Sequence, residues 1–91
     1  METLAHWING SAVTEGDSVR TADIVNPATG VVSGRVPLAD TERTQQAIAA
    51  ASDAFPAWRD TSLSKRTAVL FAFRELLNAR KEELAEIITA E

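Results

Sequence analysis

The first third of the chain carries short apolar runs separated by turn signals, which is typical of β-hairpins. Trp7 and Ile8 precede the pair Asn9-Gly10, and the run resumes over residues 11–13. An Asn-Gly pair supplies the two positive φ angles that a type I′ turn requires. These positions predict a tight first hairpin within a β-rich region over residues 6–37.

A second hairpin is predicted by two apolar stretches, residues 19–25 and 31–36, on either side of Asn26-Pro27-Ala28-Thr29-Gly30. Proline pre-sets φ for a turn position, and Gly30 can adopt the left-handed angle that closes the turn. A further turn over residues 15–18 connects the two hairpins. We assign turn roles to all four glycines, Gly10, Gly16, Gly30 and Gly34.

From residue 40 onward the apolar spacing changes to three and four residues, which predicts helices over residues 40–91. Asp40 or Thr41 can cap the first helix. We expect Pro56 to end it, because the residue before a proline disfavours the α region, and we place Trp58 in the following connector as a packing anchor. The predicted apolar face is Ala47, Ile48, Ala50, Ala51, Ala54 and Phe55.

A second helix is predicted from a Ser62 cap, with a kink at residues 78–81 and a further apolar stripe beyond it. The inward faces are Val69, Leu70, Phe73, Leu76 and Leu77, then Leu84, Ile87 and Ile88. No Gly, Asn or Pro follows the last apolar position, a pattern typical of a truncated helix. Two hairpins followed by two or three helices leave strand edges uncovered, so we infer a missing partner layer.

Composition sharpens this picture. The chain has 91 residues, suited to one small domain, and 16 of them are alanine, which buries little area. Leu, Ile, Val and Phe still make 22 residues, which is above the range of disordered chains. A net charge of −4 argues against a nucleic-acid partner, and apolar runs of at most six residues argue against a membrane span.

Candidate chemistry is sparse. The chain has no cysteine, so cysteine chemistry is excluded within it, and the single His6 cannot hold a metal alone. The glycines do not have the spacing of a dinucleotide fingerprint or a phosphate-binding loop. We therefore predict no catalytic, cofactor-binding or metal-binding residue in residues 1–91.

Several polar residues admit two interpretations. His6 beside Trp7 is either a general base next to an aromatic platform or, as we favour, a surface residue beside a packed Trp7, since no carboxylate is identifiable nearby. Ser62, Ser64 and Thr67 suit a helix start better than nucleophilic chemistry. The acid–base sets are interpreted as solvated helix faces. Those sets are Asp53 with Arg59, and Glu82, Glu83 and Glu86 with Arg80 and Lys81.

In order and spacing, these motifs resemble the N-terminus of an aldehyde dehydrogenase over residues 6–91. The residues that carry the resemblance are His6-Trp7-Ile8-Asn9-Gly10, the turn over residues 26–30, Gly34-Arg35-Val36-Pro37, AASDAFPAW at residues 50–58, Arg66, Leu70, Leu77, Leu84 and residues 87–91.

The resemblance implies an α/β fold of the aldehyde dehydrogenase type, with a Rossmann-type NAD-binding domain, a catalytic domain and an oligomerisation hairpin. Residues 1–91 would form the N-terminal part of the NAD-binding domain, with hairpins over 6–37 and helices over 40–91. The catalytic cysteine, the general base and the NAD contacts would lie beyond this chain. In some family members, main-chain oxygens at the positions of Ile24 and Val25 help to hold a monovalent cation.

Within the family, the segments HWINGS, GRVPLAD, FPAWRDTSLSKR and VLFAFRELL resemble the CoA-acylating branch that oxidises methylmalonate semialdehyde. The resemblance implies NAD as cofactor, CoA as co-substrate and propionyl-CoA as product, with no cofactor bound by residues 1–91 alone. The expected partners are the rest of the dehydrogenase chain and further copies in a dimer or tetramer. The N-terminus lacks the features of a secretory or transit signal, which favours the cytoplasm.

Two alternatives stay open at this point. In the first, the intact protein is a hydrolytic aldehyde dehydrogenase with another substrate, in which water releases a free acid. In the second, the chain is a stand-alone, non-enzymatic interaction module whose alanine-rich helices pair with a partner. The reading frame after Glu91 distinguishes the module from the enzyme.

Overall fold

The computed structural model describes residues 2–16 and 19–91, so Asp17 and Ser18 of the predicted 15–18 turn lie outside the described residues. Within these described residues, five strands precede three helices. The strands are β1 (Glu2–Thr3), β2 (His6–Ile8), β3 (Ser11–Val13), β4 (Thr21–Val25) and β5 (Val32–Pro37). The helices are α1 (Thr41–Asp60), α2 (Leu63–Ala79) and α3 (Lys81–Ala90). The predicted order of two hairpins followed by two or three helices is confirmed, and three helices are present in the described residues.

Strands β2 and β3 form the first hairpin, with His6 opposite Val13 and Ile8 opposite Ser11. Its turn is Asn9-Gly10, and both residues have positive φ, 53° and 79°. Asparagine and glycine are the residues that reach this region at low cost. The sequence pattern therefore predicted both the position of the turn and its two positive φ angles.

The second hairpin pairs β4 with β5 in antiparallel fashion. In its turn, the Gly30 amide donates to the Asn26 carbonyl at 2.8 Å, and Gly30 has a φ of 75°. The Ala28 amide donates to Asn26 Oδ1 at 2.9 Å, which is an Asx-turn contact. These bonds confirm the predicted turn over residues 26–30.

The two-residue strand β1 was not predicted. It pairs in parallel with β5, placing Glu2 opposite Gly34. This makes a three-stranded sheet in the order β1-β5-β4. Gly34 lies inside β5 and is buried, so the turn role assigned to it is wrong. Its lack of a side chain instead admits the backbone of β1, since a Cβ there would lie 2.9 Å from the Glu2 carbonyl oxygen.

Helix α1 begins where predicted. The Arg43 amide donates to Asp40 Oδ1 at 2.7 Å, so Asp40 acts as the N-terminal cap. The helix does not end at Pro56 but continues to Asp60, which places Trp58 in its last turn and not in a connector. A proline lacks one amide donor and crowds the preceding turn, but here the helix tolerates it one turn before its end.

Helix α2 starts at the predicted cap, where Ser62 Oγ accepts from the Lys65 amide at 3.2 Å. The predicted break at residues 78–81 is also confirmed, because α2 ends at Ala79 and α3 begins at Lys81. Arg80 between them has φ −112° and ψ 21°, away from helical values.

The chain divides into two compact units, residues 1–53 with Glu91 and residues 54–90. Among the described residues of both, Pro37 is the one buried apolar side chain, and no aliphatic or aromatic side chain is buried. Ile48 of the predicted inward face is 64% exposed, and Phe55, Trp58, Leu70, Phe73 and Leu77 are exposed as well. The described helix faces are therefore uncovered within this chain.

None of the helices described combines the length and the apolar character that crossing a membrane demands.

Candidate functional site

The best-defined polar site joins the segment after β3 to the first turn of α1. Arg43 Nε donates to Glu15 Oε1 at 2.6 Å, and Arg43 Nη2 donates to Glu15 Oε2 at 3.3 Å. The third nitrogen, Nη1, donates to Gln46 Oε1 at 2.7 Å. A two-point contact between guanidinium and carboxylate fixes geometry as well as distance. The Asp40 cap orients this turn, because it holds the Arg43 backbone amide.

The same contact sets the protonation of both partners. The hydrogen bond from Arg43 lowers the pKa of Glu15, and the hydrogen bond to Glu15 raises the pKa of Arg43. Glu15 is consequently held ionised and is a weak proton acceptor at neutral pH. Arg43 is already neutralised by Glu15, which leaves it poorly suited to capture an anion. The pair is suited to holding elements together.

His6 completes this arrangement, which we call the His6–Glu15–Arg43 cluster. Its Nε2 lies 3.3 Å from Glu15 Oε1. The side chains of His6 and Glu15 are only 19% and 14% exposed. The interpretation of His6 as a surface residue without a nearby carboxylate is therefore wrong. Glu15 is nine positions away in sequence, and no short-range pattern connects the two.

Trp7 was expected to be packed, but it is 74% exposed. Successive residues of a strand point to opposite faces, so the face that half-buries His6 and Ile8 turns Trp7 outward. The expected order of burial between His6 and Trp7 is thus reversed.

The other predicted acid–base sets lie on exposed helix surface. Arg80 donates twice to the Glu83 carboxylate, at 2.8 Å each, and both side chains are exposed. Arg59 contacts Asp60 at 3.0 Å and not the Asp53 of the predicted set, and it lies 5.7 Å from the centre of the Phe55 ring. Exposed pairs of this kind contribute little to stability. Their geometry agrees with the solvated-face interpretation.

The main-chain oxygens assigned by resemblance to cation binding lie at the end of β4. Ser33 Oγ donates to the Ile24 carbonyl at 3.2 Å. Ile24 pairs with Gly34 and Val25 pairs with Val32, so Ser33 is the extra residue of a β-bulge. Within residues 2–16 and 19–91, no three side chains of His, Cys, Asp or Glu cluster as metal ligands. The described side chains alone thus do not build a metal site here.

A dinucleotide cradle would require glycine backbone open to a pyrophosphate. Gly34, the buried glycine in the described part of the chain, faces the Glu2 carbonyl oxygen and leaves no such space. Gly10 and Gly30 lie at exposed hairpin turns. Gly34 therefore offers no such cradle, and Gly10 and Gly30 serve the two hairpin turns.

Comparison with known proteins supplies what the side chains do not. Malonate-semialdehyde dehydrogenase of Pseudomonas aeruginosa is 46% identical over 91 residues, covering 100% of this chain and 18% of that protein. A Dictyostelium discoideum protein is 41% identical over 89 residues, covering 98% and 17%. It is named probable methylmalonate-semialdehyde/malonate-semialdehyde dehydrogenase, acylating, mitochondrial. The chain thus spans less than a fifth of these relatives.

Solved structures agree. Methylmalonate-semialdehyde dehydrogenase from Oceanimonas doudoroffii superposes with a TM-score of 0.92 at 44% identity, covering 100% of this chain and 18% of that one. A putative methylmalonate-semialdehyde dehydrogenase from Sinorhizobium meliloti 1021, complexed with NAD, gives 0.90 at 40% identity, covering 98% and 18%. Residues 13–91 also match the aldehyde dehydrogenase family as a whole. This chain belongs to the aldehyde dehydrogenase family.

Proposed function

We propose that this chain forms the N-terminal scaffold of an NAD-dependent, CoA-acylating aldehyde dehydrogenase acting on methylmalonate or malonate semialdehyde. The observation that carries the proposal is the TM-score of 0.92 at 44% identity across the whole chain with a methylmalonate-semialdehyde dehydrogenase. For methylmalonate semialdehyde, the balanced reaction consumes the semialdehyde, CoA and NAD⁺ and yields propionyl-CoA, carbon dioxide and NADH.

The role of residues 1–91 in this enzyme is structural. An acylating route through an enzyme thioester needs a thiolate, and the chain has no cysteine. The polar contacts of its described residues are caps, turns and ion pairs, and its glycines lack the spacing of a dinucleotide fingerprint. We assign the binding of NAD and CoA, and the covalent chemistry, to the rest of the polypeptide.

The partner of this scaffold is proposed to be that remaining polypeptide. Residues 1–91 would be the N-terminal part of a Rossmann-type NAD-binding domain, whose other elements would cover the exposed helix faces. The intact enzyme is proposed to assemble as a homo-oligomer, a dimer or tetramer, on the strength of the family resemblance. We propose the cytoplasm as its compartment, which cell fractionation with an antibody to this chain would check.

The proposal is tested first by reading the coding sequence beyond Glu91. Continuation into a dehydrogenase with a later cysteine is expected, whereas a stop codon directly after Glu91 would favour the interaction module. The exposed helix faces are compatible with both the enzyme and the interaction module. The coding sequence after Glu91 is therefore what distinguishes them.

The second test assays the full-length polypeptide with methylmalonate semialdehyde and malonate semialdehyde, with and without CoA. We expect NADH formation to need CoA for turnover, with the acyl-CoA product identified by mass. A free acid formed at full rate without CoA would contradict the acylating assignment in favour of a hydrolytic aldehyde dehydrogenase. Substrate choice depends on pocket contacts outside this chain, so both semialdehydes are compared.

A further inference from the structure

The chain has three asparagines, Asn9, Asn26 and Asn78, and their main-chain settings differ. The side-chain amide carbon of an asparagine can be attacked by the nitrogen of the following peptide group, an intramolecular reaction that gains from proximity. The residue after the asparagine and the local conformation therefore determine whether the reaction occurs. The three settings can be compared within one molecule.

Asn9 has the least obstructed setting of the three. Asn9 and Gly10 are both exposed at the turn of the first hairpin. Nothing lies within 4 Å of the position that a Cβ of Gly10 would take, so no side chain crowds the attacking nitrogen. The ladder between β2 and β3 ends at the pair of Ile8 and Ser11, and the Gly10 amide lies beyond it.

The other two asparagines are obstructed. Pro27 follows Asn26 and has no N–H, and Asn26 Oδ1 accepts from the Ala28 amide at 2.9 Å. Asn78 lies inside α2 and is followed by Ala79, the last residue of that helix. Main-chain amides there donate to the carbonyl four positions back, which restrains the nitrogen. Neither site presents a free attacking nitrogen.

The first hairpin is also small enough to open locally. Strands β2 and β3 have three residues each and form a two-stranded sheet of their own. Two-stranded hairpins have little stability of their own in water. Local opening gives the turn the freedom to bring its reacting atoms together.

We propose that Asn9 is a site of spontaneous deamidation and isomerisation. The Gly10 nitrogen attacks Asn9 Cγ and forms a C–N bond, the bond from Cγ to the side-chain nitrogen breaks, and ammonia leaves with the proton of the Gly10 amide. Water then opens the resulting succinimide ring at either carbonyl, which gives aspartate or isoaspartate. One water is consumed for each ammonia released, and nothing is oxidised or reduced. This inference goes beyond the proposed function and does not depend on it.

The two products should affect the hairpin differently. Aspartate leaves the main chain unchanged, and Asp-Gly suits the same turn as Asn-Gly. Isoaspartate routes the main chain through the side-chain carbon, which lengthens a two-residue turn by one main-chain atom. Hairpin register is fixed by loop length, so the pairing of His6 with Val13 should be lost in the isoaspartate form.

The test incubates the full-length polypeptide at pH 6 and pH 8 and follows each asparagine by peptide mass spectrometry. We expect Asn9 to convert at least about tenfold faster than Asn78, the equivalent of a barrier lower by about 1.4 kcal/mol. Conversion should be faster at pH 8, because the attacking nitrogen must lose its proton. Conversion of Asn9 no faster than that of Asn78, or no faster at pH 8 than at pH 6, overturns the proposal.

Three variants complete the experiment. Asn9→Gly keeps a residue that the turn accepts but has no side-chain amide, so the mass gain in peptides over residues 6–13 should disappear. Asn78→Asp is the matched control and should leave the conversion of Asn9 unchanged. Freshly purified Asn9→Asp should keep the hydrogen-exchange protection of residues 6–13, whereas incubated protein enriched in isoaspartate should lose it. A mass gain that persists in Asn9→Gly, or an isoaspartate form as protected as fresh protein, contradicts the proposal.

Discussion

Gly34 lies opposite Glu2 in the parallel pair of β1 and β5, and a Cβ atom at position 34 would lie 2.9 Å from the Glu2 carbonyl oxygen. The obstacle is backbone and not the flexible end of a side chain. The parallel pairing of β1 with β5 therefore depends on the absence of a side chain at this position.

Gly34→Ala should separate β1 from β5. Forcing an extra carbon into an occupied site costs about 1–3 kcal/mol, and a two-residue strand has few contacts with which to resist it. Faster hydrogen exchange over residues 2–4 of the full-length polypeptide is the expected result. Gly16→Ala serves as the control, because nothing lies within 4 Å of a Cβ there. Equal exchange in both variants would show that the close approach is unimportant.

Ser62→Ala should loosen the first turn of α2. The Ser62 hydroxyl oxygen accepts from the Lys65 amide, and losing such a cap costs about 1 kcal/mol. We expect amides of residues 63–66 to exchange about fivefold faster in the variant, the equivalent of that free energy. Ser64→Ala, inside the helix, should leave these rates unchanged, and Ser62→Asp should restore them. If only Ser64→Ala lost protection, Ser64 and not Ser62 would be the capping residue.

Glu15→Gln should reduce the stability of the first hairpin at neutral pH, and the difference should vanish in acid. Arg43 lowers the pKa of Glu15 in the folded chain. A carboxyl with a lowered folded-state pKa contributes stability above its ordinary pKa, and this contribution is lost as pH falls through the lowered value. Hydrogen exchange over residues 6–15 at pH 7 and at pH 3 measures the difference.

The exposed pair of Arg80 and Glu83 provides the comparison for that experiment. Glu83→Gln should have a smaller effect on exchange within α3, because both of its side chains are more than half exposed. An effect of Glu15→Gln that persists at pH 3 would point to lost packing and not to lost charge.

Phe73→Ala should destabilise the intact enzyme far more than Glu82→Ala. Phe73 is 56% exposed within this chain and lines an apolar groove along α2 and α3 with Leu77, Leu84 and Ile87. If the remaining polypeptide covers this groove, truncation costs about 3–5 kcal/mol. Thermal unfolding of the full-length variants compares the two. Similar midpoints would mean that the groove faces solvent in the intact protein.

The isolated 91-residue chain should self-associate and show no dehydrogenase activity. Eighteen large apolar residues are exposed in its described part, and such surface promotes association. Analytical ultracentrifugation and NAD reduction assays with aldehydes measure the two properties. A monomer with a sharp cooperative melt would contradict the first expectation, and NADH formation above a no-protein control would contradict the second.

Local signals in the sequence were enough to predict much of this fold. The Asn9-Gly10 turn, the turn at residues 26–30 and the Ser62 cap each rest on contacts within about four residues, and all three are present. The change from hairpins to helices follows from the change of apolar spacing at residue 40.

What the sequence did not predict depends on distant partners. Strand β1 has two residues and no periodicity of its own, and it is defined by β5 more than 30 positions away. The cluster of His6, Glu15 and Arg43 likewise joins residues up to 37 positions apart, which no spacing rule connects. The predicted end of α1 at Pro56 is wrong for a different reason. The local preference of proline against helix is overridden there by an otherwise favourable helix.

The single residue between α2 and α3 also determines how the apolar groove can adapt. The Arg80 amide donates to the Leu76 carbonyl at 3.0 Å, and the Arg80 carbonyl accepts from the Leu84 amide at 3.0 Å. Both of its main-chain groups are thus satisfied while its backbone departs from the helix. The two walls of the groove are connected by one residue, so rotation about two torsion angles widens or narrows it. In this structure the width of the groove is therefore set by the φ of −112° and the ψ of 21° at Arg80.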